Sequence, residues 1–329
     1  MRIGKRILGE TLRGMLLVIG VTLIAFLLIT KAPIDPLVSY IGTNSTLTQE
    51  TKDEISEYWG LNDPLPQRFA AWASHALHGD LGESITYKRP VAEVIGERMM
   101  YSFVLMLLAW IFAGILGFVI GVVCGMRSGG VFDRIMKLFC LTLKSAPTFW
   151  LGLLFLTVFS VQLGWFPLGM AVPLGKLAED VTIWDRIYHL ILPVLTLTVV
   201  SISDVVLYTR QKVIEIMHSD FILYARARGE TTGQLVRRHI LRNVSLPAIT
   251  VHFACFSELF GGMALAENVF SYPGIGTAAT AAALNADVPL LLGIALFSAV
   301  FVFAGNLIAN LLYGVFDPRI REAENEKAY

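Results

Sequence analysis

Six stretches of mostly apolar residues, each about as long as a bilayer-spanning helix, constrain this chain more than any other feature of its sequence. A helix needs roughly 20 such residues to cross the hydrocarbon core, where its backbone groups can bond only to one another. The six stretches are 14–30, 102–126, 145–162, 189–208, 246–266 and 289–313. The sequence therefore predicts an all-α integral membrane protein with six transmembrane helices.

The composition favours a membrane environment and argues against several other classes. Hydrophobic residues make up 55% of the 329 and charged residues 16%, whereas a typical soluble domain has about a quarter charged residues. The 26 basic and 26 acidic residues balance, so no net field favours nucleic acid as a partner. The three cysteines lack metal-site spacing, which indicates buried thiols rather than a metal or redox site.

The basic residues predict the orientation of the chain. Four segments hold 18 of the 26 Lys and Arg residues, and they alternate with basic-poor segments. The positive-inside rule places these four in the cytoplasm, so both termini are expected there, as an even number of spans requires. The expected organisation is a cytoplasmic amino terminus with the first helix (1–30), an extracytoplasmic segment (31–101), a transmembrane core (102–316) and a cytoplasmic tail (317–329).

Two further helices are expected outside the six spans. Thr48 can cap a helix on which Ile55, Tyr58 and Trp59 share one face, so that this helix packs against another surface. The segment 131–144 mixes large apolar residues with charged ones, as a helix at the membrane interface does.

The second apolar stretch carries small residues at four-residue spacing, namely Ala113, Gly117, Gly121 and Gly125. This spacing puts them on one helix face, where the backbone of another helix can approach closely. We interpret the pattern as tight helix packing; a glycine seam lining a translocation path is the alternative.

The connection between the fourth and fifth stretches, 209–245, is the most informative segment, and we call it the arginine-rich connection. It is long, dense in arginine and rich in helix formers, and such length usually indicates function or a partner. Ala225, Ala227 and Gly229 describe a short helix that ends sharply and can lie close against another protein. A basic loop resting on anionic lipid headgroups is the alternative, but it has no need of this alanine and glycine pattern.

The residues from Asp220 to Glu230 resemble the cytoplasmic coupling loop of ATP-binding-cassette (ABC) importer permeases, in the dipeptide, oligopeptide and nickel branch. In that family a short helix of this loop docks on an ATPase and converts its closure into movement of the membrane helices. The resemblance assigns the ATPase contact to Ala225, Arg226, Arg228, Gly229 and Glu230.

Other blocks in the same order strengthen this resemblance across nearly the whole chain. They cover 60–65, 79–84, 90–91, 145–150, 267–276, 306–308 and 317–320. The chain departs from the family in three places. Leu223 and Tyr224 stand where the general importer motif has Glu-Ala, the 286–289 block lacks its usual aromatic residue, and Asn310 replaces a common Asp.

The resemblance implies a MetI-like permease fold in the cell membrane, with several passes and alternating access to the two sides. It implies four kinds of partner: a homologous second permease subunit, two ATP-binding subunits, an extracytoplasmic solute-binding protein and membrane lipid. The chain has no phosphate-binding loop of the GxxxxGKS or GxxxxGKT type, so we expect it to bind no cofactor and to catalyse nothing itself. Its partner subunits would use the ATP.

Polar and ionisable residues within the apolar stretches are candidates for a translocation path, because charge in hydrocarbon is costly. Hydrogen bonding between helices is the alternative for each of them. If the path is cationic, Glu258 and His252 are expected to line it. The two residues lie on different faces of the helix, so they need not act together. The candidates for the path are Asp204, Glu258, Glu267 and Asn306.

The prediction of the cargo rests on resemblance alone. The stretches 237–247 and 258–262 look closer to nickel-type permeases than to peptide-type ones, which implies nickel or a metal–chelate complex as the cargo. Import of dipeptides or oligopeptides is the alternative. The six histidines are scattered and form no ligand cluster, so the sequence supplies no metal site of its own.

Two rivals come from other classes of protein. A membrane-embedded hydrolase would need a buried nucleophile or a pair of acids, but Asp204 has no obvious second Asp in a neighbouring span and no GxSxG is present. A transporter driven by an ion gradient would work alone and show internal repeats, and it would not need the arginine-rich connection.

Overall fold

The described part of this chain is mostly helical, as its apolar stretches predict. The computed structural model describes residues 2–31, 48–59 and 61–316, so the predicted tail 317–329, most of 31–47 and Gly60 lie outside the described residues. The helices are α1 (Arg2–Thr30), α2 (Gln49–Tyr58), α3 (Leu65–Leu77), α4 (Val91–Met126), α5 (Val131–Ser145), α6 (Thr148–Phe155), α7 (Ile183–Met217), α8 (Asp220–Ala227), α9 (Thr232–Leu235), α10 (Leu241–Ala254), α11 (Phe256–Val269), α12 (Ile275–Leu284) and α13 (Val288–Phe316).

Four shorter elements complete the described fold: a ribbon, two π-helical turns and a 3-10 turn. A two-stranded antiparallel ribbon pairs β1 (Glu83–Ser84) with β2 (Arg89–Pro90), with Glu83 opposite Pro90. A π-helical turn over Leu156–Gln162 extends α6, and another over Val236–Ile240 joins α9 to α10. A single 3-10 turn lies over Ala178–Asp180.

Four helical segments of the described chain are long and apolar enough to cross a membrane, and two bent helix pairs raise the number to six if each pair is one span. The four are Thr11–Thr30, Val91–Met126, Ile183–Met217 and Val288–Ala309. Three of them contain a predicted stretch and extend beyond it, whereas the fourth ends at Ala309, before the predicted end at 313, although α13 itself continues to Phe316. At 36 residues, α4 is about 54 Å long, well beyond the apolar thickness of a bilayer.

The third and fifth predicted spans differ from simple rods. The segment that was expected to lie at the membrane interface is helical, as α5, and the chain then turns by 112° before α6 and its π-helical turn. The fifth stretch was expected to be one helix over 246–266, and this was wrong in detail. It is divided between α10 and α11, which meet at an angle of 57°. Gly261 and Gly262 follow the bend and weaken the helix on that side, because glycine has high backbone freedom.

The small-residue face of α4 packs against α7, as the tight-packing interpretation predicted. A Cβ atom on Gly117 would lie 2.8 Å from the Cβ of Val205, and one on Gly121 would lie 2.6 Å from the Cβ of Thr209. Only the missing side chains let the two backbones come this close.

The described residues fall into two compact units: those within 1–102 and 273–304 form one, and those within 103–272 and from 305 onwards form the other. In the first unit Thr48 caps α2 by accepting a hydrogen bond from the Thr51 amide, which confirms the predicted cap. Trp59 is buried with Phe26, Trp72, Val288 and Leu292 in a core where α1, α3 and α13 also meet.

Asp287 organises the start of α13 within this first unit. Its fully buried carboxylate accepts hydrogen bonds from the Ser84 hydroxyl at 2.6 Å and from the Thr86 amide at 3.0 Å. It also accepts one from the Leu290 amide at 3.2 Å, as an N-cap residue does. The block 286–289, where the sequence departs mildly from the pattern that it resembles, therefore holds the start of α13 in place.

The second unit contains the three cysteines, all as free thiols. Cys124 and Cys140 are buried, in agreement with the sequence-based prediction, whereas Cys255 is only partly buried. This second unit also contains the arginine-rich connection and all of the predicted site residues.

Candidate functional site

The arginine-rich connection is a folded helical unit with an apolar core of its own. Residues 209–217 continue α7, after which α8, α9 and the π-helical turn lead into α10. Ile222 from α8 packs at the centre and is fully buried. Its buried neighbours in this core are Val122, Val213, Ala225, Leu235, Ile240 and Val244. The shape of the connection is therefore set by the packing of its own apolar core, which a loop resting on lipid headgroups would not need.

A tight turn ends α8 at the glycine that the sequence singled out. The Gly229 amide donates to the Arg226 carbonyl at 2.9 Å, and the Glu230 amide donates to the Ala225 carbonyl at 3.2 Å. These two bonds form a Schellman motif, which places Gly229 in the left-handed region at φ +82°. A residue with a side chain is strained there, so glycine is required by the backbone and not by crowding.

The segment after this turn is fixed by two polar contacts. The Glu230 carboxylate lies 3.1 Å from Nε2 of His239, which ties the turn to the π-helical segment. Thr231 and Gln234 form a reciprocal capping box at the start of α9.

The outward face of α8 carries large apolar side chains beside arginines. Leu223 and Tyr224 are 69% and 67% exposed, and Phe221 is also exposed. Arg226 and Arg228 are exposed on the same helix end, and the Arg228 guanidinium lies 5.9 Å from the centre of the Tyr224 ring. An exposed apolar patch of this kind, rimmed by cations, is typical of a protein-binding surface.

The structure thus divides the five residues that were predicted to contact an ATPase. Arg226, Arg228 and Gly229 are exposed, Glu230 is half-buried against His239, and Ala225 faces the core with 3% of its surface exposed. Ala225 can therefore act on a partner only through the shape it gives to α8. Leu223 and Tyr224 were noted in the sequence only as a departure from a motif; their size next to the arginines was the signal of an exposed contact.

A buried ion pair anchors the base of the connection. The Arg210 guanidinium, near the end of α7, donates to the Asp133 carboxylate of α5 at 2.5 and 2.8 Å. Asp133 is 2% exposed and also accepts a hydrogen bond from the Gly129 amide at 2.8 Å. Three elements are joined here: α7, α5 and the turn that leads from α4 into α5.

Two of the four predicted path residues meet in one cavity of about 450 Å³, which we call the charged cavity. Lys144 at the end of α5 forms an ion pair with Asp204 of α7. One ligand atom from each of Asp204, Cys255 and Glu258 lies within 4.8 Å of the other two. The lining residues are Lys144, Asp204, Leu207, Tyr208, Val251, Cys255 and Glu258.

The other predicted path residues lie elsewhere. Glu267 is fully buried in α11, and Asn306 is exposed on α13; neither lines the charged cavity. His252 lies in a separate apolar cavity of about 330 Å³, where its ring stacks on Trp110 with the centres 4.4 Å apart. A role for His252 beside Glu258 therefore has no geometric basis in the described residues.

Comparison with known proteins shows the family to which this chain is similar. Residues 117–322 match the family model described as binding-protein-dependent transport system inner membrane component. The chain is 33% identical over 315 residues to the oligopeptide transport system permease protein AppB of Bacillus subtilis, covering 95% of this chain and 98% of that protein. It is 32% identical over 321 residues to the dipeptide transport system permease protein DppB of Escherichia coli K12, covering 92% and 94%.

A helical chain with several apolar spans and these relatives is a multi-pass membrane protein and a permease subunit of an ABC importer. The chain belongs to the family of binding-protein-dependent transport system inner membrane components. A further relative, the probable peptide ABC transporter permease protein y4tP of Sinorhizobium fredii, is 34% identical over 297 residues, covering 90% of this chain and 92% of that protein.

Proposed function

We propose that this chain is a permease subunit of a peptide importer. The observation that carries the proposal is the similarity over more than nine-tenths of the chain to permeases named for oligopeptides and dipeptides. The sequence-based expectation of nickel rested on two short stretches, 237–247 and 258–262, and these weigh less than similarity across the whole chain. Peptide, the alternative in the sequence analysis, thus becomes the first candidate.

Nickel or a metal–chelate complex is the second candidate cargo. It is favoured by one observation, the approach of two carboxylates and a thiol in the charged cavity. These are groups that bind divalent transition metals in proteins.

The proposed assembly has two homologous permease subunits, two ATP-binding subunits and an extracytoplasmic solute-binding protein. This chain would contribute six spans with both termini in the cytoplasm. The support for this orientation is that 18 of the 26 Lys and Arg residues lie in the four segments expected on the cytoplasmic side. The ATP would be bound and hydrolysed by the partner subunits.

In the proposed mechanism the outward face of α8 receives the movement of an ATP-binding subunit. The apolar core beneath α8 makes the arginine-rich connection move as one body. The Asp133–Arg210 ion pair carries this movement into α5 and α7, which also supply Lys144 and Asp204 to the charged cavity. Closure of the ATPases would in this way change the surroundings of a cargo within the membrane.

The test is reconstitution in vesicles with the candidate partner subunits, comparing uptake of a dipeptide, an oligopeptide, nickel and a nickel chelate with the matching binding proteins. Peptide uptake that requires ATP and the binding protein is the expected result. If nickel were taken up and the peptides were not, the chain would still be an ABC importer permease, but its cargo would be a metal. Uptake without ATPase subunits would contradict the coupling mechanism.

A further inference from the structure

The lining of the charged cavity carries one uncompensated negative charge. Its ionisable side chains at neutral pH are those of Lys144, Asp204 and Glu258, and the ion pair with Lys144 neutralises Asp204. Glu258 is exposed to the cavity and has no ion-pair partner among the residues that the structure describes. One carboxylate is therefore free to bind a cation that enters.

We propose that the charged cavity is a transit site for the amino-terminal ammonium group of a peptide, an inference that rests on the proposed peptide cargo. Glu258 is the principal acceptor, and Asp204 is the second. Both lie beside the apolar side chains of Leu207 and Val251, which lower the local dielectric constant and strengthen attraction to a cation.

The geometry fits an ammonium group better than a bare metal ion. A primary ammonium has three N–H donors, and the cavity presents acceptor atoms of Asp204, Cys255 and Glu258 within 4.8 Å of one another. The single net negative charge matches a monovalent cation. The Lys144 ammonium repels every cation here, but it repels a divalent ion about twice as strongly as a monovalent ammonium group.

The volume of the charged cavity and the exposure of its charged side chains suit a peptide that binds only transiently. A volume of about 450 Å³ admits the first residues of a peptide together with the ammonium group, and not merely an ion. Lys144 and Asp204 remain partly exposed, at 46% and 35% of their side-chain surfaces. Water therefore competes for the site, and the binding stays weak enough for release, as passage requires.

Cys255 supplies a reporter inside this site. It lines the cavity and is partly buried, whereas Cys124 and Cys140 are buried away from solvent. The first experiment measures the rates at which Cys255 is modified in the reconstituted transporter by two thiol reagents of equal size, one with a cationic and one with an anionic head.

The cationic reagent is expected to react faster, and Glu258→Gln should lower the ratio of the two rates by about tenfold, the effect of one nearby charge. Glu179→Gln is the matched control, because it removes the same charge from an exposed site outside the cavity. An unchanged ratio in Glu258→Gln would overturn the proposal. This outcome does not depend on the cargo, so it is distinguishable from failure of the proposed function.

The second experiment asks whether a peptide protects Cys255 during turnover. Two peptides of one sequence are compared, with a free or an acetylated amino terminus, each shown beforehand to saturate the binding protein. Protection by the free-amino peptide that is lost in Glu258→Gln is the expected result. Equal protection by the acetylated peptide, or protection by nickel ions alone, would contradict an ammonium site.

Discussion

The arginine-rich connection and the charged cavity lie in the same unit and share α7, yet they are built on opposite principles. The connection has a closed apolar core, capped helices and a tight glycine turn, so its shape is set by packing. The cavity is bordered by partly exposed charged side chains, those of Lys144, Asp204 and Glu258. The difference supports the proposal that the connection moves as one body, whereas the cavity has room for a cargo.

This comparison predicts the largest loss of stability in the core of the connection. Ile222→Ala removes a fully buried side chain and should lower the free energy of unfolding by about 3 kcal/mol, through lost burial and the cavity left behind. The neighbouring Leu223→Ala, at an exposed position, should change it by less than about 0.5 kcal/mol. Thermal unfolding of the purified variants compares the two, and equal losses would break the distinction between core and surface.

A smaller loss is expected at the base of the connection. Asp133→Asn removes the buried partner of Arg210, and we expect a cost of about 2–3 kcal/mol because the guanidinium is left partly buried without its counter-charge. Lys212→Gln, on α7 like Arg210, breaks only an exposed ion pair with Glu215 and serves as the control. If transport in Asp133→Asn stayed fully coupled to ATP, the pair would not transmit movement.

The turn that ends α8 should respond to backbone strain alone. Gly229→Arg forces a side chain into the left-handed region at a cost of about 1–2 kcal/mol, and it should abolish transport while the subunit remains in the membrane. Gly233→Arg, at a position equally open but without positive φ, should transport nearly normally. Full uptake by Gly229→Arg in vesicles would show that this turn is not needed for coupling.

The charged cavity should show the smallest effect on stability. Glu258→Gln keeps the shape of an exposed side chain and should change the melting temperature hardly at all, within about 0.5 kcal/mol of unfolding free energy. Peptide uptake at saturating loaded binding protein should nevertheless fall severalfold. If Glu258→Gln lowered both stability and uptake, Glu258 would have a structural role. This is the alternative given in the sequence analysis, in which the residue bonds to another helix.

Features that depend on neighbouring residues could be predicted from the sequence. The Thr48 cap, the short helix that ends at Gly229 and the close approach of α4 at Gly117 and Gly121 each follow from local spacing. Such patterns act within one or two helical turns, so sequence distance and spatial distance agree. The apolar stretches predicted the long helices for the same reason.

Features that depend on distant residues could not be predicted. Lys144 and Asp204 are separated by 60 positions, and Cys255 was expected to be an inert buried thiol. Asp133 and Arg210, which are 77 positions apart, appeared only as members of basic or mixed segments. The bend between α10 and α11 also escaped prediction, since it interrupts a continuous apolar stretch. These arrangements are decided by tertiary packing, which single-sequence patterns do not encode.

The measurement that tests the central claim most directly is retention of the ATP-binding subunits by a permease altered on the outward face of α8. Leu223→Asp places a charge in the exposed apolar patch, and Leu77→Asp makes the same change at an exposed position of α3 in the other unit. The account predicts that the ATPases co-purify with Leu77→Asp but not with Leu223→Asp, both variants being equally abundant in the membrane. Equal retention by the two variants would contradict docking at this face.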